Sequence, residues 1–201
     1  MSNSLKNDLI LLKELQDLDL QIGYAKKKID ESNDSHNFLK RRIESCGFIL
    51  SEIERLNVEN KISFENIKNL VKDQRFCFED FLSEEDGVAV CVSKIEQLKR
   101  KFEEKFAEND EAVKTITAEE EKLIEHLTSK RKNVVSILQP NFLKTYDRLF
   151  NTFDDKVVVA LLEDNTCTHC HVKCCMQKTV DVLKFENLVF CENCGRILSV
   201  E

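Results

Sequence analysis

Four cysteines near the carboxyl end of the chain form two short hooks, Cys167-Thr-His-Cys170 and Cys191-Glu-Asn-Cys194, with 20 residues between them. Two residues between paired cysteines allow both sulfurs of one tight turn to reach a single tetrahedral ion, and about 15–20 residues commonly separate such hooks. Gly195 follows the last cysteine, where a metal-binding turn often needs a residue that tolerates positive φ. The spacing predicts one structural Zn²⁺ held by Cys167, Cys170, Cys191 and Cys194.

Two disulfides or four buried thiols would use the same cysteines. The sequence shows no secretory, transmembrane or lipidation signal, which predicts a cytoplasmic protein with reduced thiols and no membrane insertion. Four thiolates close the coordination sphere, whereas a catalytic zinc keeps one position open. We therefore expect the ion to stabilise a small carboxyl-terminal β ribbon, residues 154–201, and not to catalyse a reaction.

Four further residues lie close enough in sequence to compete as ligands: His169, His171, Cys174 and Cys175. The two hooks already supply four sulfurs at matched spacing, so we expect none of these residues to bind the metal. A redox role for Cys174-Cys175 stays open, because thiol reactivity depends on surroundings that the sequence does not show.

The rest of the chain is built for long helices, with one proline, four glycines and 33% charged residues. Apolar residues follow a four-then-three spacing from Leu11 to Phe81, and a second such series runs from Val88 to Ile137. A fixed seven-residue repeat of this length is typical of a coiled coil. The predicted fold is mainly α, a long antiparallel coiled-coil helical hairpin with a small zinc ribbon.

The hairpin is predicted to occupy residues 1–153. It consists of a helix over about 5–81, a turn at 82–87 that starts near Ser83, a helix over about 88–138 and, after Pro140, a short helix over about 141–152. Folding about Ser83 opposes Asn57 to Asn109, and similarly His36 to Lys130. The two asparagines either share a polar layer that fixes the register or face solvent, and the sequence leaves both readings open.

The formal net charge of −7 argues against broad nucleic-acid binding, yet basic residues cluster in four triplets. The triplets are Lys26-Lys27-Lys28, Lys40-Arg41-Arg42, Lys99-Arg100-Lys101 and Lys130-Arg131-Lys132. They are either a patch for an anionic partner or the solvated flank of a coiled coil. Candidate partner-binding residues are Lys40, Arg41, Arg42, Lys130, Arg131 and Lys132.

The segments Cys167–His171 and Phe190–Leu198 resemble the ribbon of bacterial coiled-coil proteins that end in a four-cysteine zinc ribbon. The resemblance covers the architecture of the whole chain, and its specific motif covers about 167–198. Between the hooks this chain has Cys174-Cys175 where the family commonly has a proline pair, and Glu186-Asn187 replaces a Gly-Asp turn. The resemblance implies an adaptor or chaperone of flagellar and type III secretion systems that associates with sigma-54. RNA binding has also been attributed to the family.

Two hypotheses follow. In the first, the protein is a non-enzymatic adaptor that binds protein partners, and off-seam aromatic residues such as Phe76, Phe142 and Phe153 either serve as exposed anchors or pack the third helix. Of these three residues, Phe142 is the candidate partner-binding residue. In the second, the protein is an RNA-binding post-transcriptional regulator whose basic triplets contact phosphates.

The sequence shows no phosphate-binding glycine loop and no nucleophile elbow, so we expect no catalysis. Homodimer formation stays open.

Overall fold

The computed structural model of the protein describes residues 2–59, 61–73 and 87–200. Over these residues the chain forms the helices α1 (Ser2–Val58), α2 (Phe64–Asp73), α3 (Val88–Ile137), α4 (Pro140–Thr152) and α5 (Met176–Lys184). The strands are β1 (Val159–Glu163), β2 (Thr166–Cys167), β3 (Val189–Phe190) and β4 (Ile197–Ser199). The predicted fold class is confirmed, since α1 and α3 form a long helical hairpin and the carboxyl-terminal part carries a small β-sheet.

The chain divides into two compact units. One joins the residues up to Lys27 to those from Glu120 onward, and the other runs from Lys28 to Glu119. The first unit contains residues on both sides of the boundary predicted between residues 153 and 154, and that boundary stays a prediction.

The core of the first unit is formed by leucines of α1. Leu9, Leu12 and Leu15 are all at most 4% exposed, because α1 packs here on α3, α4 and the sheet together. The hydrophobic face of α1 is therefore wider than a two-position coiled-coil seam.

A polar network crosses the same core. Tyr146 of α4 is completely buried, and its hydroxyl donates to Oδ2 of Asp19 at 3.1 Å. Arg131 of α3 donates to both oxygens of Asp19, at 2.5 and 3.2 Å. The carboxylate thus receives three hydrogen bonds that tie α1, α3 and α4 together.

The core of the second unit is a three-helix contact. Cys46, Ile49 and Ile53 of α1 pack with Ile67 and Val71 of α2 and with Cys91 and Ile95 of α3, and each of these residues is at most 4% exposed. Cys46 is the small buried hydrophobic residue that its seam position predicts.

The predicted continuous helix over about 5–81 is wrong in one respect, because α1 ends at Val58 and a new helix begins at Phe64. Ser63 lies directly before α2 and its hydroxyl accepts a hydrogen bond from the Asn66 amide at 3.2 Å, the contact of an N-cap residue. The Asn66 side chain donates to the Lys61 carbonyl at 2.6 Å. The heptad pattern continues without a break across Ser63, so the pattern alone does not indicate this helix start. The predicted turn at 82–87 lies outside the described residues except for Gly87.

The predicted register is also wrong. His36 packs on Phe106 with ring centroids 4.2 Å apart, and its Nε2 lies 3.7 Å from Asp110. Asn109 is therefore level with His36 and not with Asn57, which is exposed at the end of α1. Because the first helix ends at Val58, a register counted along one unbroken helix as far as Ser83 opposes the wrong residues.

Two apolar residues of the predicted seam of α3 are exposed: Leu123 by 42% and Ile137 by 68%. Leu138 is buried instead, because α3 ends at Ile137 and the chain turns before Pro140. Pro140 itself is the first residue of α4, where its missing amide hydrogen removes no helical hydrogen bond.

The four strands form one sheet in the order β2-β1-β4-β3. β1 pairs in parallel with β4, with Val159 opposite Ile197, and β2 and β3 pair antiparallel on the two sides. The short outer strands lead directly into the two cysteine hooks, so the sheet brings the hooks together. Within the described residues, every helix is too short or too polar to cross a membrane.

Candidate metal centre

The four hook cysteines come from two separate places in the sheet. Cys167 ends β2 and is completely buried, and Cys191 directly follows β3 and is 3% exposed. Cys170 and Cys194 lie in the turns that follow and are partly exposed. All four Sγ atoms lie within 4.8 Å of one another. The structure thus brings together the four cysteines that the spacing singles out.

The two hooks have the same backbone hydrogen bonds. In the first, His171 N donates to the Cys167 carbonyl at 2.8 Å and Cys167 N donates to the Val172 carbonyl at 3.1 Å. In the second, Gly195 N donates to the Cys191 carbonyl at 2.8 Å and Cys191 N donates to the Arg196 carbonyl at 2.8 Å. Residues four and five positions after the first cysteine therefore close each hook identically.

The equivalence extends to backbone conformation. Gly195 has a φ of 73°, and His171, at the same position of the first hook, has a φ of 57°. A left-handed conformation suits glycine but strains a residue with a Cβ. The first hook therefore carries a backbone strain that the second avoids.

The sulfur spacing fits a tetrahedral ion. A zinc–sulfur bond of about 2.3 Å places tetrahedral sulfurs about 3.8 Å apart. The Sγ atoms of Cys167 and Cys194 are 3.9 Å apart, and those of Cys170 and Cys191 are 3.6 Å apart. The donor set is four sulfurs, which zinc accepts in a closed structural site.

The thiols have unequal acidity. Burial would raise the pKa of Cys170, but hydrogen bonds from the Val172 amide, from Asn193 and from neighbouring thiols lower it to about 6. Burial raises the pKa of Cys194 to about 12, and it also raises that of Cys167. Cys170 is thus prepared as a thiolate, and a divalent cation would displace the protons of Cys167 and Cys194.

The four competing ligand candidates near the hooks, His169, His171, Cys174 and Cys175, do not belong to the four-sulfur cluster. His169 Nε2 lies 3.3 Å from Oδ2 of Asp155, and His171 is exposed. Cys175 is exposed directly before α5, while Cys174 is half-buried. Burial raises the pKa of the Cys174 thiol, and the neighbouring Cys191 raises it further.

Arg196 anchors the second hook to the segment between α4 and β1. Its Nη2 donates to both oxygens of Asp155, at 2.7 and 2.6 Å, and its Nε donates to the Val157 carbonyl at 2.9 Å. The guanidinium also lies 4.4 Å from the Phe153 ring centroid. Because Asp155 faces His169 as well, this one carboxylate connects both hooks. Burial would raise the pKa of Asp155, but the hydrogen bonds from Arg196 and from the Val157 amide hold it below its usual value.

The candidate partner-binding residues differ in exposure. Lys40, Arg41, Lys130 and Lys132 are exposed. The guanidinium of Arg42 lies 4.7 Å from the Phe38 ring centroid.

Two further candidates have structural contacts. Arg131 is held by the buried network around Asp19. Phe142 is partly buried and packs against the core of the first unit. Phe153 lies under Arg196, and Phe76 lies outside the described residues.

Three residues around the ribbon escaped the sequence reasoning: Gln16, Asp155 and Arg196. Gln16 continues the apolar stripe of Leu5, Leu9 and Leu12, so a polar residue on a buried helix face was the available signal.

Comparisons with known proteins indicate the fold alone. No protein-family model matches the chain, and no curated protein matches it. A solved structure from Mycobacterium smegmatis is similar, with a TM-score of 0.50 and 14% identity over 96% of this chain and 98% of that one. CT398 from Chlamydia trachomatis has a TM-score of 0.37 and 21% identity, covering 98% of this chain and 95% of its own. HP0958 from Helicobacter pylori has a TM-score of 0.42 and 15% identity, covering 100% of this chain and 85% of its own.

Proposed function

We propose that the protein is a non-enzymatic adaptor or chaperone in which a structural zinc ribbon, carried by a long helical hairpin, binds protein partners. Cys167, Cys170, Cys191 and Cys194 would hold one Zn²⁺. The ion would supply folding energy to a segment whose strands are only two to five residues long. A donor set of four thiolates leaves no position for substrate, which supports a role other than catalysis.

The observation that carries the proposal is an apolar stripe on α5, within the ribbon. Met176, Val180 and Leu183 follow the i, i+4, i+7 spacing of one helix face and are 70%, 43% and 56% exposed. A different face of α5 contributes Val182, 2% exposed, to the cluster that contains Cys167 and Cys191. The metal site thus holds a helix whose outer face is apolar, as expected for a protein-binding surface.

The partners that we propose come from the family resemblance: sigma-54 and components of type III secretion or flagellar systems. We also propose a cytoplasmic location, since four reduced thiolates suit that compartment. Homodimer formation through paired hairpins stays a prediction.

The alternative function is RNA binding. Exposure of Lys40, Arg41, Lys130 and Lys132 is the observation that favours it, because exposed ammonium and guanidinium groups can approach phosphates.

Affinity capture of the tagged protein from its own cell lysate, with and without ribonuclease, separates the two functions. Recovery of sigma-54 or secretion components that resists ribonuclease supports the adaptor. Recovery that collapses on ribonuclease treatment contradicts it and favours RNA.

Binding of purified sigma-54 should then be measured for wild type and for Val180→Ser. Lys122→Ser, an exposed change on α3, is a control. Weakening by Val180→Ser alone, with the zinc content unchanged, would assign the contact to α5.

A further inference from the structure

A groove of about 490 Å³ lies beside α1, far in sequence from the ribbon helix α5. One side is the α1 segment from Asp19 to Lys27, and the other is formed by the end of α4 and the chain that leads to β1. Its lining is mainly apolar. Tyr24, Lys26, Phe150 and Lys156 are among the residues at its surface.

The α1 side of the groove is one helix face. Leu20, Gly23, Tyr24 and Lys27 follow the i, i+3, i+4, i+7 spacing. Tyr24 is 73% exposed, although its ring would bury a large apolar area in any contact. The hairpin core therefore leaves this face of α1 available to a partner.

The opposite wall is fixed in place. Phe150 stacks on the buried ring of Tyr146 with centroids 5.7 Å apart. The Tyr146 hydroxyl is in turn bonded to Asp19, which Arg131 also holds. A wall supported in this way is preorganised, so binding loses little conformational entropy there.

Lysines give the groove a positive rim. Lys26 and Lys27 lie on the α1 side, and Lys156 lies across from them with its ammonium 5.5 Å from the Phe150 ring centroid. The carboxylate of Asp19 is already matched by the Arg131 guanidinium. In a chain of net charge −7, the groove thus has a local charge of the opposite sign.

We propose that this groove binds an acidic amphipathic helix of a partner protein. The volume suits one or two large apolar side chains, which would contact Tyr24 and Phe150. Acidic side chains that flank these anchors would face Lys26 and Lys156. The inference deepens the adaptor function and rests on it, because it names a second docking surface and the chemistry of its partner.

Gly23 allows the groove to be blocked without damage to the fold. A Cβ built at Gly23 meets nothing within 4 Å, so a longer side chain would extend into open space. Replacing glycine in the middle of a helix also favours the helical conformation. Gly47 offers a matched control, since it lies in α1 outside the groove and a Cβ there also meets nothing within 4 Å.

The probe is a fluorescent helical peptide of about 14 residues, or four turns, with leucines on one face and glutamates on the other. A peptide with lysines in place of the glutamates and a uridine oligonucleotide of equal length are the comparison ligands. Fluorescence anisotropy measures their binding to the zinc-loaded full-length protein and its variants.

The glutamate peptide should bind the wild type more tightly than either comparison ligand. Gly23→Gln should weaken its binding by at least about tenfold, whereas Gly47→Gln should match the wild type. The double variant Lys26→Glu with Lys156→Glu should also weaken binding. The control with Lys40→Glu and Lys130→Glu carries the same net charge and should retain it.

The proposal is overturned if no glutamate peptide binds at up to about 1 mM, if the lysine peptide or the oligonucleotide binds as tightly, or if Gly23→Gln behaves like the wild type. The affinity capture with and without ribonuclease is repeated with Gly23→Gln as bait. It shows whether a failure of the groove proposal also contradicts the adaptor function. Ribonuclease-resistant capture of protein partners by the wild type and by that variant leaves the adaptor standing, whether or not the peptide measurements overturn the groove. Ribonuclease-sensitive capture by the wild type overturns the adaptor itself.

Discussion

Gln16 and Val159 share two hydrogen bonds across 143 residues of sequence. Oε1 of Gln16 accepts from the Val159 amide at 2.6 Å, and its Nε2 donates to the Val159 carbonyl at 3.3 Å. The same Oε1 accepts from the Val158 amide at 2.6 Å. A single buried side chain on α1 thus satisfies the backbone where β1 begins, and it fixes the sheet on the hairpin.

Gln16→Ala should destabilise the protein by about 2–4 kcal/mol, because it leaves two buried amides and a carbonyl without partners. Gln21→Ala, an exposed change in the same helix, should alter the free energy of unfolding by less than about 0.5 kcal/mol. Urea unfolding followed by circular dichroism measures both variants. Equal stability of the two would show that the Gln16 bonds contribute nothing.

The contacts of Gln16 are of a kind that the sequence alone does not predict. Cysteine spacing predicts the metal site because two residues between ligands is a local requirement, and heptads predict the hairpin because their period is local too. Gln16 acts on a strand more than 140 residues away, and no local pattern gives that partner. Likewise the Ser63 cap is a local signal, but an uninterrupted heptad pattern concealed it and so displaced the predicted register of Asn57 and Asn109.

The two hooks allow a test of backbone strain. His171→Gly should stabilise the zinc-loaded protein by about 1 kcal/mol, since glycine relieves the left-handed conformation at a φ of 57°. Gly195→Ala should destabilise it by about 1–2 kcal/mol for the same reason. Steric contact does not explain that loss, because a Cβ at Gly195 comes no nearer than 3.9 Å to Phe153. Thermal unfolding measures both, and changes of the same sign would contradict the equivalence of the hooks.

Tyr146 should make the protein sensitive to high pH. Burial, the charge of Asp19 and the hydrogen bond to it raise the pKa of Tyr146 well above its usual value of about 10. The folded state therefore holds this proton more strongly than the unfolded state. The resulting stability is complete below about pH 10 and is lost as the pH rises further.

Tyr146→Phe should remove that pH dependence and lower the stability at neutral pH by about 1 kcal/mol. The chain has two tyrosines, so Tyr24→Phe leaves Tyr146 as the only tyrosine that absorbance can follow. In that background, tyrosinate should appear only together with unfolding. Ionisation of Tyr146 in the folded protein at about pH 10 would contradict the prediction.

Removal of the metal should unfold the ribbon but leave the second unit intact. Four sulfurs within 4.8 Å hold together strands of two to five residues, and structural zinc contributes on the order of 10 kcal/mol. The second unit buries its own core around Ile49, Ile67 and Ile95 without any contribution from the hooks. Chelation should therefore expose the ribbon to protease while most helical circular dichroism remains.

Cys170→Ser should abolish stoichiometric zinc, whereas Cys175→Ser should retain one zinc per chain because that cysteine is exposed outside the cluster. Loss of zinc from both variants, measured by mass spectrometry of the intact protein, would show that Cys175 is a ligand and would refute the assignment of the four hook cysteines.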